Sequence, residues 1–152
     1  AKPELPTFAG HGVWQVRMYA ARAAAALQDG GTLEALAADE HANVREAAIE
    51  GLSKVRGRDA DARYLAALER PDYQVVRAAA AALKGTPPKA ETAAALLKAL
   101  SVLSAQRRDT SRDPRLGLLE RIRETGTAAN APALGPYLAD PDPRIASVAA
   151  AR

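Results

Sequence analysis

Cysteine is absent from the 152 residues of this chain. That excludes disulfides and thiolate metal sites, and it is compatible with a reducing or an oxidising compartment alike. Aromatic residues are scarce: one Trp, one Phe and four Tyr. With so few aromatic and β-branched side chains the chain cannot furnish several strands. No apolar run approaches the ~18 residues of a membrane span, because charges interrupt every Ala-rich block. There is no Gly-rich loop followed by Lys-Ser or Lys-Thr, so a phosphate-cradling loop of that kind is missing. The chain starts at Ala1 without a methionine or a signal-like segment, and reads as a piece of something longer. Charge of a single sign is missing too. Acids are spread among the bases, and the formal net charge is only +3. This weak basic bias leaves nucleic acid open without arguing for it.

Alanine is what the chain has in excess, at about a quarter of all residues. Ala has the highest helix propensity and lets helices approach closely. The chain also repeats itself. "VWQVRMYAARAAAAL" from Val13, "HANVREAAIEGL" from His41 and "DYQVVRAAAAAL" from Asp72 share Val-Arg, then Ala, then Leu. The Val-Arg pairs fall at 16/17, 44/45 and 76/77, spacings of 28 and 32 residues. Weaker copies start at Asp113 ("DPRLGLLERI") and Asp140 ("DPDPRIASVAAA"). Val13, Val16, Ala20, Ala23 and Leu27 form one predicted helical stripe, and Val44, Ala48, Leu52 and Val55 another. Glycines at 30–31, 57, 85 and 126 follow the stripes, where helices end. Asp113-Pro114 and Asp142-Pro143 place a capping acid before a proline suited to a first turn.

About nine helices are predicted, near 12–28, 31–39, 42–56, 60–70, 72–84, 89–106, 113–125, 130–139 and 142–151. Residues 1–10 are too proline-rich for a good helix and read as irregular, or as the remnant of a missing one. Residues 11–152 read as an array of about five partly irregular repeats, with an insertion loop near 104–113. Paired helices at a period near 30 cannot bury their stripes alone, and stacking the pairs buries a shared core. The predicted fold class is therefore all-α, a right-handed α-solenoid of antiparallel helix pairs. A closed helical bundle is the alternative, but it does not require Val-Arg to recur at corresponding places.

The inventory for chemistry is thin. His11 and His41 precede Val-Arg helices, but two histidines without further ligands are poor metal evidence. Asp59 and Asp61, or Asp140 and Asp142, sit in turns as caps or solvated groups. Ser53, Ser101, Ser104 and Ser147 have no histidine nearby in sequence. No catalytic residue, metal ligand or cofactor is assigned. A binding surface remains, formed by the Val-Arg helices. Trp14, the one tryptophan, is either core or an anchor for a peptide. "RRDTSRDPR" at 107–115 leaves Arg107, Arg108 and Arg112 unexplained by capping. Either they pair internally with Asp109, Asp113 or Glu120, or they grip an acidic peptide, a phosphate or a nucleic-acid backbone. The absence of interleaved aromatics weakens base stacking.

"VREAAIEGL" and "VRAAAAAL", with "DPDPRIASVAAA" in its first half, resemble HEAT-like repeats of the bacterial type related to phycobilisome lyases. The resemblance covers the chain from about residue 11 and speaks to fold more than function. It implies that the repeat arginine bonds an acid near the start of its own or a neighbouring second helix. On that pattern Arg17, Arg45 and Arg77 would form a ladder of braces with acids such as Asp39 and Asp72. Ala146 stands where the last copy would carry its arginine. "WQVRMYAARAA" with "RRDTSRDPRLGLLERI" further resembles the HEAT-repeat part of bacterial proteins that also carry a cyclophilin-type peptidyl-prolyl isomerase domain. The resemblance implies a non-catalytic scaffold. Its partner would be another protein or another domain of the parent chain; nucleic acid is the second reading.

Overall fold

A computed structural model describes residues 4–70 and 72–151. Ala1–Pro3 of the expected irregular segment and Arg152 of the expected array lie outside the described residues. Among the described residues every regular element is a helix, and there is no strand. The chain divides into two units, one up to Ala82 and one from Leu83.

The first unit contains α1 (Leu5–Ala9), α2 (Trp14–Ala26), α3 (Gly30–Leu36), α4 (Ala42–Val55), α5 (Asp61–Ala67) and α6 (Tyr73–Ala82). A short 3₁₀ turn, Gly57–Ala60, leads into α5. The helices pair in sequence, α1 with α2, α3 with α4 and α5 with α6, while α4 packs against both α2 and α6. Each pair thus buries one face within itself and another against its neighbour, as stacked repeats must. Where an irregular segment or the remnant of a helix is expected, α1 forms a single turn of helix, with Pro6 at its second position and Leu5 buried. Proline is tolerated there because the first N–H groups of a helix have no internal acceptor anyway.

The buried face of α2 differs from the predicted stripe. Arg17, Ala20, Ala21 and Ala24 are buried, whereas Val13 is 49% exposed and Ala23 lies outside. The corresponding face of α4 is Val44, Arg45, Ala48, Ile49 and Leu52. Alanine in α2 occupies the repeat positions that Ile49 and Leu52 hold in α4, so the two buried faces differ in side-chain size. Gly51 lets α4 lie close against α3 and α2. A Cβ there would lie 2.7 Å from Leu33 Cδ2 and 3.2 Å from the Ala25 Cβ. The end of α2 also departs from expectation. Gln28 takes the left-handed conformation, at φ 57°, and the Asp29 N–H bonds back to the Ala24 carbonyl at 2.8 Å. Gly30 and Gly31 instead open α3, which Asp29 caps through the Thr32 N–H.

The second unit contains α7 (Ala90–Ala105), α8 (Arg112–Thr125) and α9 (Pro143–Ala150). A 3₁₀ segment, Ala128–Ala139, occupies the place of a predicted helix at 130–139. Pro132 and Pro136 lie inside it. Each removes a backbone donor and clashes with an α-helical turn, so an α-helix cannot form across them. Here α7 pairs with α8 and the 3₁₀ segment with α9; α8 also packs on α9, and α7 on the 3₁₀ segment. Leu96, Leu100, Leu103, Leu118, Leu119, Ile122 and Ile145 are fully buried.

The connection after α7 is shorter than the predicted insertion at 104–113. Helix α7 runs to Ala105, a 3₁₀ turn covers Asp109–Ser111, and α8 begins at Arg112. Ser111 stands at the N-cap position, so Asp113 and Pro114 fall inside the first turn rather than before it.

Candidate functional site

The repeat arginines of the first unit work through their whole guanidinium groups. Arg17 Nε donates to Asp39 Oδ2 at 2.7 Å and its Nη2 to Asp39 Oδ1 at 3.0 Å. Its Nη1 donates to the carbonyls of His11 and Gly12. One side chain therefore ties its own turn to the turn of the next repeat. Both side chains are nearly enclosed, at 10% and 9% exposure, and a planar fork meeting a carboxylate is the strongest form of such a pair. Burial pushes the Asp39 carboxyl up, but the Arg17 hydrogen bonds and the His41 N–H outweigh it and hold it below its ordinary value. The bond to Asp39 raises Arg17 in turn.

Arg45 repeats the arrangement in part. Its Nη1 bonds the carbonyls of Asp39 and Glu40 at 2.7 and 2.8 Å, and its Nη2 pairs with Asp72. Asp72 therefore serves Arg45 rather than Arg77. Arg77 is exposed on α6, and no ion pair ties it to an acid among the described residues. The reason is register. Gln74 Nε2 bonds Asn43 Oδ1 at 2.8 Å across an offset of 31 residues. The same offset carries buried Val44 and Arg45 onto buried Val75 and Val76. The arginine position of α6 is thus taken by Val76. The Val-Arg dipeptide of this copy is displaced by one residue, which turns Arg77 about 100° around the helix and out of the interface.

A brace in the second unit escaped the sequence reading. Arg115 pairs with Asp140 and donates from Nε to Ser104 Oγ at 3.1 Å. Arg115 stands four residues after the cap residue Ser111, as Arg17 does after Val13 and Arg45 after His41. Asp140 accepts the Asp142 N–H at 2.9 Å, just as Asp39 accepts the His41 N–H at 2.9 Å. Spacing from the cap, not the Val-Arg pair, was the available signal.

Of the proposed contact residues, Trp14 is half-buried. It stacks on His41 with ring centroids 4.0 Å apart and 5° between planes. His41 Nδ1 accepts the Asn43 N–H and His11 Nδ1 the Val13 N–H. Both histidines close turns at helix starts, and no group of three His, Cys, Asp or Glu side chains suited to a metal occurs among the described residues.

The structure brings Arg107, Arg108 and Arg112 to one place. They line a cleft of about 470 Å³ with Arg115, Ser104, Asp109, Asp140 and Asp142. Arg112 pairs with Asp142. That bond raises Arg112, and it lowers Asp142, with help from the Arg144 N–H. Arg107 and Arg108 are exposed, and neither has an acidic partner among the described residues. Arg107 sits at φ 48°, a left-handed conformation uncommon for a side-chain-bearing residue. Two anchored guanidinium groups and two free ones thus share the cleft.

No helix among the described residues is long and apolar enough to cross a membrane. A comparison with curated proteins returned no match. The family model for HEAT repeats, by contrast, matches residues 3–84, more than half of the chain. Repeats of this kind commonly serve as protein-interaction scaffolds and are generally non-catalytic. Stacked helix pairs, arginines that tie one turn to the next, and a family match covering residues 3–82 of the first unit lead to one conclusion: the chain belongs to the HEAT-repeat family.

Proposed function

We propose that this chain is a non-catalytic protein-interaction scaffold that receives an acidic segment of a partner at the cleft of Arg107, Arg108 and Arg112. The observation that carries the reading is the division of labour among the arginines. Arg112 and Arg115 are held by Asp142 and Asp140, so they are positioned before a partner arrives. Arg107 and Arg108 keep unspent charge, and a carboxylate-bearing segment would neutralise it with charge-assisted hydrogen bonds. Preorganised groups lose less entropy on binding than mobile ones. Trp14, half-covered by His41, adds a flat apolar edge in the first unit on which a peptide side chain can rest.

The resemblance to isomerase-linked HEAT regions supports a finer reading. In a longer bacterial protein, the scaffold would hold a substrate protein for a cyclophilin-type domain, raising its effective concentration there. Deleting the repeats from such a parent should lower activity on a folding protein substrate and leave activity on a short peptide unchanged. Equal activity on both would remove the finer reading.

The scaffold itself is tested with a fluorescein-labelled Asp/Glu-rich peptide, followed by anisotropy. Saturable binding that the double substitution Arg107→Ala and Arg108→Ala weakens at least about tenfold supports the proposal. Duplex DNA is the second probe. If DNA binds with a steep salt dependence and the peptide does not bind, the proposal fails in favour of a nucleic-acid surface.

A further inference from the structure

The brace made by Arg45 is incomplete. Arg17 spends its Nε on Asp39, but Arg45 Nε is buried without a hydrogen-bond acceptor among the described residues. Its side chain is 5% exposed, so bulk water does not readily replace the missing partner. A buried donor left unpaired is uncommon in folded proteins and needs a physical account.

The 31-residue offset shows what is missing. Arg17 bonds the acid two residues before the His41 cap, Asp39. The same position one repeat on, two residues before Asp72, is Arg70. A cation therefore stands where the geometry calls for a carboxylate. Arg45 reaches Asp72 with Nη2 alone, and the second arm of its fork is left over. Arg70 turns its own Nη1 to the Asp39 carbonyl at 3.1 Å, which keeps it beside Arg45's turn.

These residues line a small cleft. Arg45, Arg63 and Arg70 face Glu69 across about 120 Å³, with Ala37, Ala38, Ala66 and Ala67 as the apolar walls. With Asp72 already paired to Arg45, three guanidinium groups stand against two carboxylates, and one positive charge is left over. Arg63 is exposed and has no ion-pair partner among the described residues. The space holds a few waters or one carboxylate-sized group, since a water occupies about 30 Å³. It is too small for a nucleotide or a folded loop. The alanine walls suit the short methylene stem of an acidic side chain.

We propose that this cleft is a carboxylate site in which a ligand oxygen, reaching Arg45 Nε through a small side-chain shift, takes the place of the acid that Arg70 displaced. The carboxylate is bound by Arg45 from the floor and by Arg63 and Arg70 from the rim. It comes either from a free small acid or from an Asp or Glu side chain of a bound protein. This site lies wholly in the first unit and is independent of the arginine cleft near Arg107, so either can fail without the other.

The test follows the Nε–H resonances of the arginines by ¹H–¹⁵N NMR, with Arg17 as an internal control already bonded to Asp39. Acetate, a capped Ala-Asp-Ala peptide and sodium chloride at matched ionic strength are titrated separately. Arg45 should shift saturably with the carboxylates, and Arg17 should stay in place. Tighter binding of the peptide than of acetate identifies a protein side chain as the source, and equal binding identifies a free acid. Arg70→Asp restores the acid within the chain. It should move Arg45 Nε–H to the bonded position without ligand and weaken carboxylate binding at least about tenfold. Arg63→Ala should weaken binding while leaving the Arg45 resonance of the free protein unchanged. The proposal is overturned if chloride reproduces the shift, if no carboxylate saturates it, or if Arg70→Asp binds carboxylate as well as the parent chain.

Discussion

The two units solve the same packing problem with different materials. In the first, three helix pairs of Ala, Leu and Ile stack through α2, α4 and α6, and nearly enclosed arginines join successive turns. In the second, a 3₁₀ segment replaces a helix. The brace Arg115–Asp140 is joined there by Arg112–Asp142 at the mouth of an open cleft. The acids that bind the arginines occupy like places in both. What differs is where the surplus lies: in the first unit Arg63 and Arg77 stand exposed on α5 and α6, without an ion-pair partner among the described residues, whereas in the second Arg107 and Arg108 gather in the same cleft as the paired arginines. An inter-repeat brace and a recognition surface are thus built from the same residue type, separated only by whether an acid is within reach.

The largest effect that would sharpen this contrast comes from the apolar cores. Leu52 and Leu118 are fully buried. Leu52→Ala and Leu118→Ala should each cost about 4 kcal/mol. Hydrogen exchange would show whether each loss stays within its own unit. Spread of both losses over every helix would show that the units unfold as one.

Breaking a brace should cost somewhat less. Arg115→Ala leaves Asp140 enclosed and unpaired and should destabilise the second unit by about 3 kcal/mol, read from denaturant midpoints. Arg17→Ala should lower the midpoint of the first unit in the same way. If either substitution is silent, the brace is not what joins those turns.

Acid should act next. Asp39 and Asp142 titrate below the ordinary carboxylate range. A carboxyl depressed in the folded state adds stability that is fully present above its unfolded value of about 3.9 and is lost as pH falls through the lower folded value. Stability should therefore decline below about pH 4. Asp39→Asn should flatten that decline in the first unit, measured by thermal unfolding across pH.

The smallest effect on stability should come from the free arginines. Arg107→Ala with Arg108→Ala should change stability by no more than about 0.5 kcal/mol. A large loss would place them in the fold and erase the contrast with Arg17.

Much of the architecture was legible because stacked repeats write their burial into period and composition. Val44, Ala48 and Leu52 fall on the buried face as their spacing predicts. Three features were not legible, each for a local reason. Val75-Val76-Arg77 fits the repeat in either of two registers, and only the cross-helix bond from Gln74 to Asn43 distinguishes them. In α2, every small residue could serve as core, so alanine could not mark which side faces inward. Arg115 follows Pro114 instead of valine, so a search for Val-Arg passed over it. At the candidate site, the sequence grouped Arg107, Arg108 and Arg112 but could not show that Asp140 and Asp142, some 30 residues on, would close the cleft around them.

The proline-bearing segment of the second unit has a metric consequence. A 3₁₀ helix rises about 2.0 Å per residue and an α-helix about 1.5 Å. The 12 residues of Ala128–Ala139 therefore extend about as far as the 16 residues of α7, roughly 24 Å in either case. Such a stretch can lose four amino acids and still span its neighbour, so physical length and chain length become separate quantities in a tandem array.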